Sequence, residues 1–164
     1  MKEAAFLQAY AMKGAYTDCY CMSVAGSYSL PPFIEAVYTS PLFKLERWVL
    51  ATLLKLPSTD PQARELALGQ RNRFAAWKVE QRSDREILLD AGQTRLWLCV
   101  TAEHSADGPS TTLQFGSAVV PLRPGGRFGF AFHALHGFHH VYSKMLLAAA
   151  AKRLPAVARA QQAA

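Results

Sequence analysis

Charge is scarce in this chain and nowhere concentrated. Asp, Glu, Lys and Arg make up 18% of its 164 residues, and 18 basic against 12 acidic side chains leave a net charge of +6. Lys44, Arg47, Lys55, Arg64, Arg71, Arg73, Lys78, Arg82, Arg85, Arg95, Arg123 and Arg127 are scattered over every segment, with no basic tract of five or more. That spread argues against a nucleic-acid footprint and leaves only a weak preference for anions. Cysteine is equally sparse. Cys19, Cys21 and Cys99 are an odd number without a C-x-x-C spacing, which speaks against a disulfide framework or a zinc site and for a reducing compartment. No apolar run approaches the roughly 20 residues of a membrane-spanning helix. Residues 1–13 lack an uninterrupted apolar stretch and a cleavage site, so a cytoplasmic location is expected rather than secretion. Also missing are G-x-S-x-G, a phosphate-binding glycine loop, H-E-x-x-H and a dinucleotide fingerprint; Gly125-Gly126-Arg127-Phe128-Gly129 has three glycines at the wrong spacing. No cofactor is expected.

What is present is apolar. Hydrophobic residues make up 51% of the chain, enough to bury a core, and the length suits one domain over residues 1–164 with its core at about 15–153. Phe6, Leu7 and Tyr10 suit either a helical turn or two or an unstructured tail. From Ala15 onward Tyr16, Tyr20, Met22 and Val24 alternate with Thr17, Cys19, Cys21 and Ser23, the period of a half-buried strand ending at Gly26, and Asp18 interrupts its apolar side. Ser29 ahead of Pro31-Pro32 and Ser40 before Pro41 mark helix starts and predict helices over about 31–39 and 41–55. In the second, Leu42, Leu45, Val49, Leu53 and Leu56 form the face expected to be buried. Asp60-Pro61 and Gly69 bracket a third, short helix.

From Arg73 the period changes to two, with Ala75, Trp77 and Val79 on one side and Phe74, Ala76, Lys78 and Glu80 on the other. Turns at Ser83-Asp84, Ala91-Gly92 and 105–109 separate strands over about 85–90, 94–103 and 110–122, consecutive hairpins and hence an antiparallel sheet. A Pro124-Gly125-Gly126 break leads into a helix over about 130–154. Its arc of Leu135, Phe138, Val141, Tyr142, Met145, Leu146 and Ala149 is expected to lie on the sheet, and the tail after Pro155 to fray. Strand, two or three short helices, antiparallel strands, long helix: this is the order of the α+β helix-grip fold, a curved antiparallel sheet wrapped around a long C-terminal helix with a pocket between them.

Two stretches carry a resemblance. Phe74-Ala75-Ala76-Trp77-Lys78-Val79-Glu80 with Arg82 and Glu86-Ile87-Leu88-Leu89, and then Gly137-Phe138-His139-His140, are similar to an uncharacterised bacterial family within or near the START-like, or SRPBCC, superfamily, over about residues 15–153. Members of that family carry P-F-H-R where this chain has Gly137 to His140. The resemblance implies a helix-grip fold and a small-molecule pocket, and no particular activity.

Several residues carry chemistry. His133, His136 and His140 share a helical face at a spacing able to ligate a transition metal. That face lies opposite the apolar arc, Lys144 extends it, and no carboxylate is near, so a solvated histidine stripe is the reading and no metal is expected. His139 sits at the edge of the arc beside Tyr142. Glu46 and Arg47, on a helix with a buried face, and Asp18, on the inner side of the first strand, need partners when buried. In a pocket they would orient a polar ligand or do acid-base work; otherwise they form an ion pair tying helices to sheet. Trp77 and Trp97, on neighbouring strands, would line the same space and stack on a flat ligand, where Ala75, Ala76 and Gly116 leave room. The pocket candidates are therefore Asp18, Glu46, Arg47, Trp77, Trp97, His139 and Tyr142, and the expected partner is a small apolar or aromatic molecule. Three functions stay open, in this order: a binding or carrier protein, a cyclase- or hydrolase-type enzyme using acid-base groups of the same pocket, and a binder of anionic surfaces.

Overall fold

The computed structural model describes residues 5–53, 55–105, 108–120 and 130–163, and in the last of these the side chains from residue 139 on. Helix α1 (Ala5–Met12) precedes β1 (Tyr16–Ala25); α2 (Leu30–Tyr38), α3 (Pro41–Leu53) and α4 (Asp60–Ala67) follow, then β2 (Arg73–Phe74), β3 (Trp77–Arg82), β4 (Glu86–Ala91), β5 (Thr94–Ser105), β6 (Gly108–Val119) and the closing α5 (Phe130–Gln162). The strands form one antiparallel sheet in the order β1-β6-β5-β4-β3-β2. With α5 packed against the sheet, the arrangement is α+β and helix-grip-like. Because β1 and β2 are opposite edges, the α2–α4 connection has to cross the sheet, and it does so over the inner face.

Side-chain alternation sorts the two faces. Tyr20, Ile87, Leu89, Leu96, Leu98, Leu113 and Phe115 point inward into one core with Leu30, Phe33, Ile34 and Val37 of α2, Leu66 of α4 and Leu146, Leu147, Ala150 and Leu154 of α5. Leu88, Trp97 and Ala118 point outward and are covered by Leu7 of α1. Of the two readings of the N-terminal segment the helix holds, and its docking is specific. The Phe6 N–H donates to the Glu86 carboxylate at 3.3 Å, and Trp97 Nε1 donates to the same oxygen at 2.8 Å, a negative charge where a helix N-terminus favours one.

Four expectations are corrected. In α3 the buried side is Phe43 and Arg47, while Leu45, Val49, Leu53 and Leu56 are exposed. The helix is apolar on two sides, and the partners of Arg47 decide which one turns inward. In α5 the inward face runs through Ser143, Leu146, Leu147, Ala150 and Leu154, whereas Val141 and Met145 are exposed; the side chains of Leu135 and Phe138 lie outside the described residues. α5 also continues through Pro155 to Gln162 instead of fraying. Pro155 is itself exposed, buried Leu154 and Val157 hold the helix on either side of it, and Gln161 donates to Glu35 of α2 at 2.6 Å, contacts that offset the one backbone bond a proline removes. Finally, residues 73–80 do not alternate as one strand. Ala75, at a φ of 48°, turns the chain between β2 and β3, so Phe74 and Trp77 are both buried.

Candidate functional site

A cavity of about 340 Å³ opens between the inner face of the sheet and helices α3 and α5. Phe43, Trp77, Leu96, Phe115, Val119 and Leu146 supply its apolar wall, and Tyr16, Glu46, Thr94, Arg95, Ser117, His139 and Tyr142 complete the lining. The apolar end is built by an aromatic cluster at the α2–α3 junction. The Tyr38 ring stands edge-on to Phe43 (4.7 Å between centroids) and Phe74 (4.8 Å), and Phe43 meets Trp77 at 5.2 Å, geometries that aromatic quadrupoles favour. The Tyr38 hydroxyl is fully buried and has no hydrogen-bond partner among the described residues.

The polar side is organised by Asp18. In register on the edge strand, Asp18 lies beside Ser117 of β6, and its carboxylate accepts from four donors. Oδ1 takes the Ser117 N–H at 3.0 Å and the Ser117 hydroxyl at 2.7 Å; Oδ2 takes His139 Nε2 at 3.0 Å and the Tyr20 hydroxyl at 3.2 Å. Burial pushes the Asp18 carboxyl up, but the hydrogen bonds from His139 and Ser117 outweigh it and hold the group below its ordinary range. Asp18 is therefore an ionised anchor, and the Nε2–H that faces it fixes the orientation of the His139 ring. The chain of contacts continues outward. The Tyr20 hydroxyl meets Nδ1 of His140 at 2.7 Å, so the exposed His140 is linked through Tyr20 and Asp18 to the cavity-lining His139.

Ser117, His139 and Asp18 are the residue types of a nucleophilic triad, yet the geometry is not that of one. In a triad the serine and the aspartate hold opposite nitrogens of the imidazole, whereas here Ser117 Oγ, at 3.1 Å, and Asp18 Oδ2 both face Nε2. The hydroxyl proton of Ser117 is already given to Asp18. What this arrangement can do is hold and move a proton at His139.

Across the cavity Glu46 of α3 accepts the Tyr142 hydroxyl of α5 in a short hydrogen bond. Burial raises the Glu46 carboxyl above its ordinary value, opposed in part by the Tyr142 bond and by nearby His139. Burial and then the Glu46 charge push the Tyr142 phenol far up, so it stays a donor. The site thus sets a carboxyl biased toward its neutral form against a histidine held by a committed carboxylate.

Of the seven candidates, Asp18, Glu46, Trp77, His139 and Tyr142 come together around this cavity, with Asp18 behind His139 and Ser117. Arg47 does not. It is buried away from the cavity, donating to Asp60 (2.6 Å), to the Ser58 hydroxyl and carbonyl (3.0 and 2.6 Å) and to the Tyr38 carbonyl (3.3 Å), with its guanidinium over the Phe74 ring. It ties α3 to the end of α2 and the start of α4 rather than to the sheet. Trp97 is corrected too: it is on the outer face under α1, one residue out of phase with cavity-lining Leu96. Gly116 shares that outer face, and the room it leaves is filled by Leu7 and Trp97. The side chains of His133 and His136 lie outside the described residues, and among the described residues no group of three metal-ligating side chains converges.

Sequence reasoning missed Ser117, Phe43 and Phe115. Ser117 was recoverable, because alternation from Leu113 and Phe115 puts it inward beside the first strand. No protein-family model, curated protein or solved structure matches this chain.

Proposed function

We propose that the protein binds a small, largely apolar ring-containing molecule with one hydrogen-bonding group, held between the sheet and helices α3 and α5. The observation that carries this reading is the lining: its surface is mostly apolar, and two hydrogen-bonded polar pairs, Glu46–Tyr142 and Ser117–His139, face the same space. A volume of about 340 Å³ is at the small end of ligand sites. The START-like resemblance implies the same use of the same space. The test is titration with 2-naphthol and with naphthalene, followed by ligand fluorescence. Naphthol should bind at least about tenfold tighter, the worth of one satisfied polar contact, and Val119→Trp, which fills the cavity, should abolish binding of both. Absence of binding, or unchanged binding in Val119→Trp, overturns the reading.

A second reading, catalysis by proton transfer, is favoured by one further observation: Glu46, its carboxyl raised by burial, lines the same cavity as His139, whose Nε2 is held by the Asp18 carboxylate. Groups so paired serve as acid and base. On that reading Glu46→Gln eliminates turnover while leaving naphthol binding within a fewfold of the parent; on the carrier reading it has no turnover to remove.

A further inference from the structure

The free surfaces of α3 and α5 share an unusual composition. A surface helix ordinarily turns a charged face to water, but the outward face of α3 is Leu45, Trp48, Val49 and Leu53, and Trp48 and Leu53 are 63% and 75% exposed. The two helices pack together along a seam marked by Glu46 and Tyr142. Val49 and Leu53 stand three and seven residues on from Glu46, and Val141 and Met145 flank Tyr142 at 58% and 56% exposure, so the apolar surface runs along both sides of the seam.

Its charge is one-sided. α5 contains no Asp or Glu along its whole length, and the only acidic residue of α3 is Glu46, which is turned into the cavity. Lys55, Lys144 and Lys152 are exposed, and none of the three enters an ion pair among the described residues. On the helical wheel Lys152 continues the Val141–Met145 stripe and Lys144 borders it.

We infer that the α3–α5 face docks onto an anionic lipid bilayer, with Trp48, Leu53 and Met145 entering the headgroup boundary and the lysines meeting lipid phosphates. Apolar side chains including a tryptophan, on helices that themselves expose lysine and no acid, are what an interfacial helix presents, and each lysine near a charged leaflet adds to the attraction. A protein partner of ordinary surface would be met by salt bridges of both signs, which an acid-free face cannot make. Docking here also brings the seam over the cavity next to the lipid, but vesicle binding is read without any cavity ligand and stands or falls apart from the small-molecule proposal.

The experiment is co-sedimentation of the full chain with vesicles of phosphatidylcholine alone and of phosphatidylcholine mixed with phosphatidylglycerol, with tryptophan quenching by acyl-brominated lipid as the depth readout. Binding should be about tenfold or more tighter to the mixed vesicles and weaken with salt. Trp48→Ser with Leu53→Ser should abolish it. Lys144→Glu with Lys152→Glu should remove the anionic preference, and both pairs, being at exposed positions, should leave naphthol binding unchanged. No binding, equal binding to both vesicle types, or wild-type binding in the lysine pair overturns the inference. So does concentration-dependent self-association that Trp48→Ser breaks, which would assign the face to a second copy of the chain.

Discussion

Asp18 and Glu46 are both carboxylates near one cavity, and their environments drive them apart. Asp18, saturated by four donors, has its carboxyl lowered, so its contribution to stability is present above the ordinary carboxyl value and is lost as pH falls through its depressed one. Glu46 is raised by burial, so its contribution has the opposite sign: present below about pH 4.3, it is lost as pH rises through the raised value. Urea unfolding at pH 4 and pH 7.5 separates them. Glu46→Gln should be more stable than the parent at pH 7.5 and equal to it at pH 4. Asp18→Asn should lose about 2 to 3 kcal/mol at pH 7.5, the scale of hydrogen bonds to a buried charge, and lose less as the pH is taken well below 4. Parallel profiles for the two variants would show that the two carboxyls are not driven apart.

At the scale of elements, the outer face is as closely built as the inner one. A Cβ at Gly116 would lie 2.8 Å from the Asp18 carbonyl oxygen, 2.8 Å from Leu7 Cδ2 and 3.0 Å from Trp97 Cε3. The Leu7 methyl is the end of a flexible side chain and can move, but the Asp18 carbonyl is backbone of a paired strand and cannot. Gly116→Ala should therefore cost about 1 to 3 kcal/mol by overpacking, read as a lowered thermal midpoint, and Leu7→Ala in the same background should return part of it. Additive losses would show that α1 does not press on the β1–β6 ladder. This crowding fixes the phase of β5. Two tryptophans on nearby strands suggested one lining, but Trp77 sits after a tight turn and Trp97 faces α1, and no local pattern reveals that an outer face is covered. The strand and hairpin order was legible because period two and turn residues are local signals. The orientation of α3 was not, since its exposed leucines and its buried Phe43 have equal claim to a helical stripe, and the choice lies with the distant Asp60 and Ser58 that receive Arg47. In the same way, Asp18 and His139 could each be singled out, but their pairing through Ser117 depends on a register that only the folded sheet defines.

Across the whole molecule, local and distant pairing are unevenly divided. Strands β2 to β6 form a meander of neighbours, whereas β1 reaches β6 from far along the chain, Gly26 and Thr111 being 85 residues apart. Closing a loop of that size costs about 4 kcal/mol before any ladder bond is gained, so the meander can form without β1 but β1 has nothing to join until β6 is in place. Pulse-labelled hydrogen exchange during refolding should find the amides of β4 and β5 protected first and those of β1 last; simultaneous protection would reject this order. The strand that arrives last is the one that carries Asp18. A chain stalled one step short of completion would hold most of its sheet and yet lack the group that orients His139, so partly folded molecules would be silent at the site rather than misdirected, and the acquisition of function would report on the final closure of the fold.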